Sequence, residues 1–189
     1  LIMDTFAALA FASLPASRSV MNDTPRRRTD FIITKSMWQY VFGIGLLFIL
    51  FLFGLLQYFM NDTVDSFNSF SFTEYFANYL NFSHNNSFSI QECTIFFSIF
   101  VFLQFWSMLN VKHFDSTDAF FTKFSETKVF YSAMIVILLG QLLIVNFGGK
   151  MFNVVPLTTH DWTCIIGGTS LVFIGGLLSR AVKSLVTQK

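Results

Sequence analysis

The sequence predicts an all-α membrane fold: a bundle of four complete transmembrane helices plus the end of a fifth. Three observations predict it. Of the 189 residues 53% are hydrophobic and only 12% charged, about half the charged share of a soluble domain. The run from Ser36 to Asn61, "SMWQYVFGIGLLFILFLFGLLQYFMN", holds no charge at all, and about 20 such residues cross a bilayer core. Basic residues also alternate in abundance from one connection to the next, as they do when Lys and Arg are kept on the cytoplasmic side.

The first element, residues 1–14, is the truncated span. Asp4 is its only charge, set among Leu1, Ile2, Met3, Phe6 and four alanines at 7, 8, 10 and 12. A signal peptide would begin with basic residues and carry no acid near its start. About eleven residues separate Asp4 from Pro15, roughly 16 Å of helix. That is about half of a 30 Å hydrocarbon core. A carboxylate at that depth costs on the order of 2.5–3.5 kcal/mol on insertion scales, so it faces a cavity or a partner and marks an ion or proton path; an interfacial acid at a helix end, or one paired with a buried Lys, is the other reading. The small alanines make the helix slim, which lets neighbours close around the acid.

The complete spans are 36–60, 93–110 ("CTIFFSIFVFLQFWSMLN"), 129–149 ("VFYSAMIVILLGQLLIVNFGG") and 162–180 ("WTCIIGGTSLVFIGGLLSR"). Lys and Arg fall in the connections 15–35 and 111–128 and in the C-terminal tail, which together hold eleven of the twelve; Lys150 is the exception. Those three segments are therefore expected in the cytoplasm and the long loop 61–92 outside it. A net charge of +1, with the basic residues confined to connections, gives no footprint for nucleic acid.

Within 61–92, Phe72, Tyr75, Phe76, Tyr79 and Leu80 recur at i, i+3, i+4, i+7 and i+8. This is the stripe of a short amphipathic helix, expected at the outer interface; a loop packed on the helix ends is the other reading. Asn61, Asn81 and Asn85 head Asn-x-Ser/Thr triplets suited to glycosylation on the outer side. Asn22 heads a fourth in a cytoplasmic loop, so the motif discriminates poorly here. Cys93 and Cys164 lie near the outer ends of different spans; a disulfide and two separate apolar thiols are both open. With two cysteines and with His84, His113 and His160 spread over separate loops, no zinc spacing exists. Gly168, Gly175 and Ser179 share one face of the last span, where small residues let helix backbones approach.

At this point the residues resemble a known family. "LIMDTFAALAFASLP" resembles the sixth transmembrane helix of P-type calcium-transporting ATPases, whose pattern is Asn-x-x-x-Asp followed by small residues and a proline. "FIITKSMW" (31–38) resembles the segment leading into their seventh helix and "IFVFLQFWSMLN" (99–110) the eighth. "LLIVNFGGKMF", with "PL" at 156–157 and Trp162, resembles the ninth helix, the following loop and the tenth. "MDTFAALA" and "NFGGKMF…PL…W" are the most specific pieces, and they resemble the plasma-membrane-type branch.

The resemblance implies that residues 1–189 are helices six to ten of such a pump, its C-terminal membrane domain. It implies that Asp4 binds the transported Ca2+. The family's asparagine, four residues earlier, would precede Leu1. Calcium takes six to eight oxygens, so the other ligands would come from upstream helices. Where another branch carries a glutamate in its eighth helix, Val111 stands here. Ser107 replaces the asparagine usual in the plasma-membrane branch, and Gln104 and Asn110 read equally well as helix–helix hydrogen-bonding groups. Arg26, Arg27 and Arg28 lie in a loop that touches the phosphorylation domain in these pumps, and they also read as headgroup anchors.

No Asp-Lys-Thr-Gly or Thr-Gly-Glu motif occurs, so ATP and Mg2+ would belong to domains outside this chain. The implied partners are the bilayer and the rest of the pump, in the plasma membrane or an internal calcium-store membrane. A calmodulin-binding tail is left open. The contrasting reading is a free-standing multi-span protein, such as a channel subunit or an assembly factor.

Overall fold

A computed structural model describes residues 2–15, 33–61, 70–82, 88–112 and 127–187 of the chain. The described residues form seven helices: α1 (Ile2–Ala12), α2 (Lys35–Asn61), α3 (Phe72–Asn78), α4 (Ile90–Lys112), α5 (Lys128–Phe147), α6 (Gly149–Phe152) and α7 (Thr159–Thr187). Four of them, α2, α4, α5 and α7, are long and apolar enough to cross a membrane, and α1 is a shorter apolar helix. Helices are what a chain must form there, because hydrocarbon offers no partner to an unpaired backbone N–H or C=O.

Two starts are fixed by reciprocal capping, which satisfies N–H groups that a helix leaves open at its first turn. At α4 the Ser89 N–H donates to Glu92 Oε2 at 2.8 Å, and the Glu92 N–H donates back to Ser89 Oγ at 3.1 Å. At α7 Asp161 Oδ2 accepts from the Thr158 hydroxyl at 2.6 Å and from the Thr158 N–H at 3.2 Å, while the Asp161 N–H donates to Thr158 Oγ1 at 3.2 Å. Both acids are buried. Between α5 and α7 the chain reverses through Gly149 at φ 45° and Asn153 at φ 52°, left-handed conformations that glycine and asparagine tolerate.

Packing is organised on α4. Its first half joins Leu55, Tyr58 and Phe59 of α2, Tyr75 of α3, Val145 of α5 and Ile165 of α7 around Ile95, Ile99, Phe102 and Leu103. Its second half joins Ala10 of α1 and Phe130, Ala133, Met134 and Ile137 of α5 around Phe105, Met108 and Leu109.

A polar seam runs between α4 and α7. The Trp106 indole donates to Thr169 Oγ1 at 3.1 Å, and Asn110 Nδ2 donates to the Val172 carbonyl at 3.0 Å. Just before α7, the Val155 N–H donates to Thr94 Oγ1 at 3.1 Å. These three pairs are separated by 63, 62 and 61 residues, so α4 and α7 run parallel at a nearly constant offset. Toward α5, Gln141 Nε2 donates to Ser98 Oγ at 3.3 Å. At the far end of α4, Lys112 Nζ lies 4.1 Å from the Tyr131 ring centroid and donates to that residue's hydroxyl at 2.8 Å.

Two expectations change on this structure. The face of α7 that meets α4 carries Ile165, Thr169, Val172 and Gly176, whereas Gly168 and Gly175 have open space before them and Ser179 is exposed. A Cβ on Gly176 would run into the Asn110 amide. The expected stripe of α3 is also split: Tyr75 is buried and Tyr79 half-buried on α2, while Phe72, Phe76 and Leu80 stay exposed. Of the two readings of Cys93 and Cys164, the separate thiols hold: both are free and half-buried. Of the glycosylation triplets, those at Asn22 and Asn85 lie outside the described residues. Asn61 is engaged: its Nδ2 donates to the Gln57 carbonyl and to the Asn81 carbonyl, each at 2.9 Å.

Two outcomes are expected. Gly176→Val overpacks the α4–α7 contact and lowers stability by about 1–3 kcal/mol, while Gly175→Val changes it by less than about 0.5 kcal/mol; thermal unfolding in detergent compares the two. Because both N–H groups of Asn61 are committed, Asn61→Gln leaves the gel shift on glycosidase treatment unchanged; a lost shift would show a sugar on that side chain.

Candidate cation site

The site is built on α1 and on the helix that holds it. A stripe of Met3, Ala7, Ala10, Phe11 and Leu14 faces α5, with Ala10 fully buried. Small residues at 7 and 10 allow the two helices to close, and Phe11 meets Phe130 edge-on at 5.5 Å between ring centroids. The alanines that the sequence offers as one slim set therefore divide: Ala7 and Ala10 serve the α5 contact, while Ala8 and Ala12 are exposed.

Asp4 belongs to the second set. It is exposed on the flank of α1 turned from α5, one and two turns before Ala8 and Ala12, with exposed Thr5 beside it. The Phe11–Phe130 contact gives its height. Seven residues of helix are about 10 Å, and the same distance along the antiparallel α5 leads from Phe130 to Ile137, the middle of that span (Lys128–Phe147). Asp4 therefore lies at mid-span on a face lined by a hydroxyl and two methyl groups. Such a face is slim and carries one carboxylate and one hydroxyl.

That is less than a calcium ion requires, since it takes six to eight oxygens. Among the described residues no group of three or more His, Cys, Asp or Glu converges. The polar residues of α4 do not gather at Asp4. Asn110 is buried and tied to α7. Gln104 and Ser107 are half-buried, and Val111 is exposed. By helical spacing Gln104 and Ser107 lie between the Phe105–Met108 and Trp106–Asn110 stripes, on a flank given neither to α1 nor to α7. Arg26, Arg27 and Arg28 fall outside the described residues. The seam residues Trp106, Thr169 and Ser98 escape a search for function because hydroxyls and indoles in apolar runs carry no distinguishing spacing.

Comparison with known proteins adds the context. Residues 1–182 match the family model "Cation transporting ATPase, C-terminus". The chain is 30% identical over 186 residues to calcium-transporting ATPase PAT1 of Dictyostelium discoideum, covering 96% of this chain and 15% of that protein. It is 30% identical over 186 residues to the putative plasma membrane-type calcium-transporting ATPase 11 of Arabidopsis thaliana, covering 97% and 16%. It is 27% identical over 188 residues to plasma membrane calcium-transporting ATPase 2 of Oreochromis mossambicus, again covering 97% and 16%. The chain thus spans 15–16% of the length of these curated relatives.

One outcome tests how α1 is held. Ala10→Leu, at a position with 0% exposure, forces the helices apart and costs about 1–3 kcal/mol. Ala12→Leu, on the exposed flank, leaves the unfolding temperature of the chain in detergent unchanged.

Proposed function

Since this chain belongs to the cation-transporting ATPase C-terminal family, we propose that it works as the C-terminal membrane part of an ATP-driven calcium pump and that Asp4 is a ligand of the transported ion. The pump moves Ca2+ out of the cytosol. ATP, Mg2+ and the phosphorylated aspartate belong to the rest of the protein. The membrane is the plasma membrane or an internal calcium store. This chain contributes one strong ligand and the helical scaffold that carries it.

The observation that carries the reading is the position of Asp4 within a family match covering nearly the whole chain. An acid at mid-span is costly unless it serves a site. Asp4 lies on an exposed flank of α1, beside Thr5, Ala8 and Ala12. In an intact pump, helices upstream of Leu1 close over that flank and bring the remaining oxygens. The similarity to calcium-transporting ATPases, plasma-membrane types among them, supports calcium as the cargo. One carboxylate is a weak site alone and a strong contributor within a set, because a hard divalent cation is selected by ligand number, charge and cage size together.

In the intact pump, Asp4→Asn abolishes calcium-dependent phosphoenzyme formation from ATP at normal expression. Phosphorylation with normal calcium activation in that variant would overturn the assignment. Ala8→Leu narrows the cleft beside the carboxylate without removing an oxygen. It raises the calcium concentration for half-maximal phosphorylation at least tenfold, a loss of about 1.4 kcal/mol in ion binding.

A further inference from the structure

The short helix α3 has three distinct sides. At 3.6 residues per turn, Tyr75 and Tyr79 share one side, which rests on α2. The Tyr75 hydroxyl donates to the Phe51 carbonyl and the Tyr79 hydroxyl to the Leu50 carbonyl, each at 3.0 Å. Gly54 makes room for this, since a Cβ there would run into both tyrosines. About a quarter turn further round stand Phe72, Phe76 and Leu80, with 72%, 72% and 75% of their surfaces exposed. Thr73, Glu74 and Ala77, exposed as well, make the third side.

The tyrosine bonds give the depth. Leu50 and Phe51 lie eleven and ten residues in from Asn61, about 15–16 Å along the helix axis. They fall near the middle of the chargeless run, where α2 itself presents Leu46, Leu47 and Leu50 to its surroundings at 58%, 56% and 49% exposure. A tyrosine hydroxyl stays within one ring's length of its own backbone. The backbone of α3 is therefore held beside the Asn61 half of α2, between the level of Phe51 and that of Asn61, whose Nδ2 donates to the Asn81 carbonyl. Its aromatic stripe continues the exposed apolar surface of α2.

We infer that α3 is a lipid anchor. Its Phe72–Phe76–Leu80 stripe inserts among the acyl chains of the leaflet on the Asn61 side, with Thr73 and Glu74 turned to the headgroups. Amphipathic helices bury their apolar face about 5–10 Å into that boundary. What distinguishes α3 is its attachment: the helix is pinned to a spanning helix by two phenols, and its length of seven residues would not hold it in lipid unaided. The occupant is hydrocarbon, because the stripe is continuous with the exposed apolar surface of a helix long and apolar enough to cross a membrane. This inference is independent of the ion that the protein carries.

The test uses the intact protein containing this chain, in a background with its reactive cysteines replaced, in phosphatidylcholine vesicles. A nitroxide is attached in turn through Phe72→Cys, Phe76→Cys, Leu80→Cys and Glu74→Cys. Collision of each label with oxygen, which concentrates in lipid, is compared with collision with a water-soluble nickel chelate. The oxygen-to-nickel ratio is expected severalfold higher at 72, 76 and 80 than at 74, with further loss of contrast when Tyr75→Phe and Tyr79→Phe are combined. High nickel collision at the three apolar positions would place the stripe in water and overturn the inference. Low collision with both reagents would show that another protein segment covers it, which overturns it equally.

Discussion

α4 is the one span covered on nearly every side, and the other helices take their places from it. Of its apolar stretch 61% is buried, against 11% for α2 and for α7. In hydrocarbon this burial cannot come from the hydrophobic effect between helices, since lipid tails are as apolar as leucine; close packing and interhelical hydrogen bonds decide which faces meet. The groups that make those bonds lie along α4: Thr94, Ser98, Trp106 and Asn110 each reach a different partner on α5, α7 or the segment before α7. Each such bond is worth about 1 kcal/mol or less in this setting. Their value lies in register, because each is lost if the helix turns or slides.

The same hub explains why the candidate site looks incomplete. The second half of α4, with α5, supports only the Ala7–Ala10–Phe11 side of α1. The flank that carries Asp4 and Thr5 is exposed. The chain spends its packing on holding α1 at a set height and rotation.

Much of the fold was legible in the sequence because hydrocarbon imposes a one-dimensional rule. Stretches without charge, near 20 residues long, mark α2, α4, α5 and α7 directly, and the i, i+3, i+4 spacing of Phe72, Tyr75 and Phe76 marks α3. Faces were harder to read. α7 carries glycines at 167, 168, 175 and 176, and periodicity alone offers more than one small-residue stripe. Only the Asn110 side chain, lying against Gly176, decides between them. Glu92 and Asp161 served as charges that bound a span; their bonds to Ser89 and Thr158 depend on turn geometry that spacing only hints at. In the site, Asp4 was conspicuous by its cost. The division of labour among the alanines was invisible until α5 was placed beside them.

The constant offset between α4 and α7 has a consequence for the shape of the membrane surface. Matching residues differ by 61 to 63 along the sequence, so the capped start of α7 at Asp161 lies level with a residue about seven positions below Glu92, roughly 10 Å lower. The rim of the bundle is therefore terraced. Val154 and Leu157, both buried, descend from the upper terrace to the lower one as non-helical backbone. Such backbone is tolerated at this depth only where protein shields it, and the Thr94 hydroxyl on the Val155 N–H supplies one bond of that shelter.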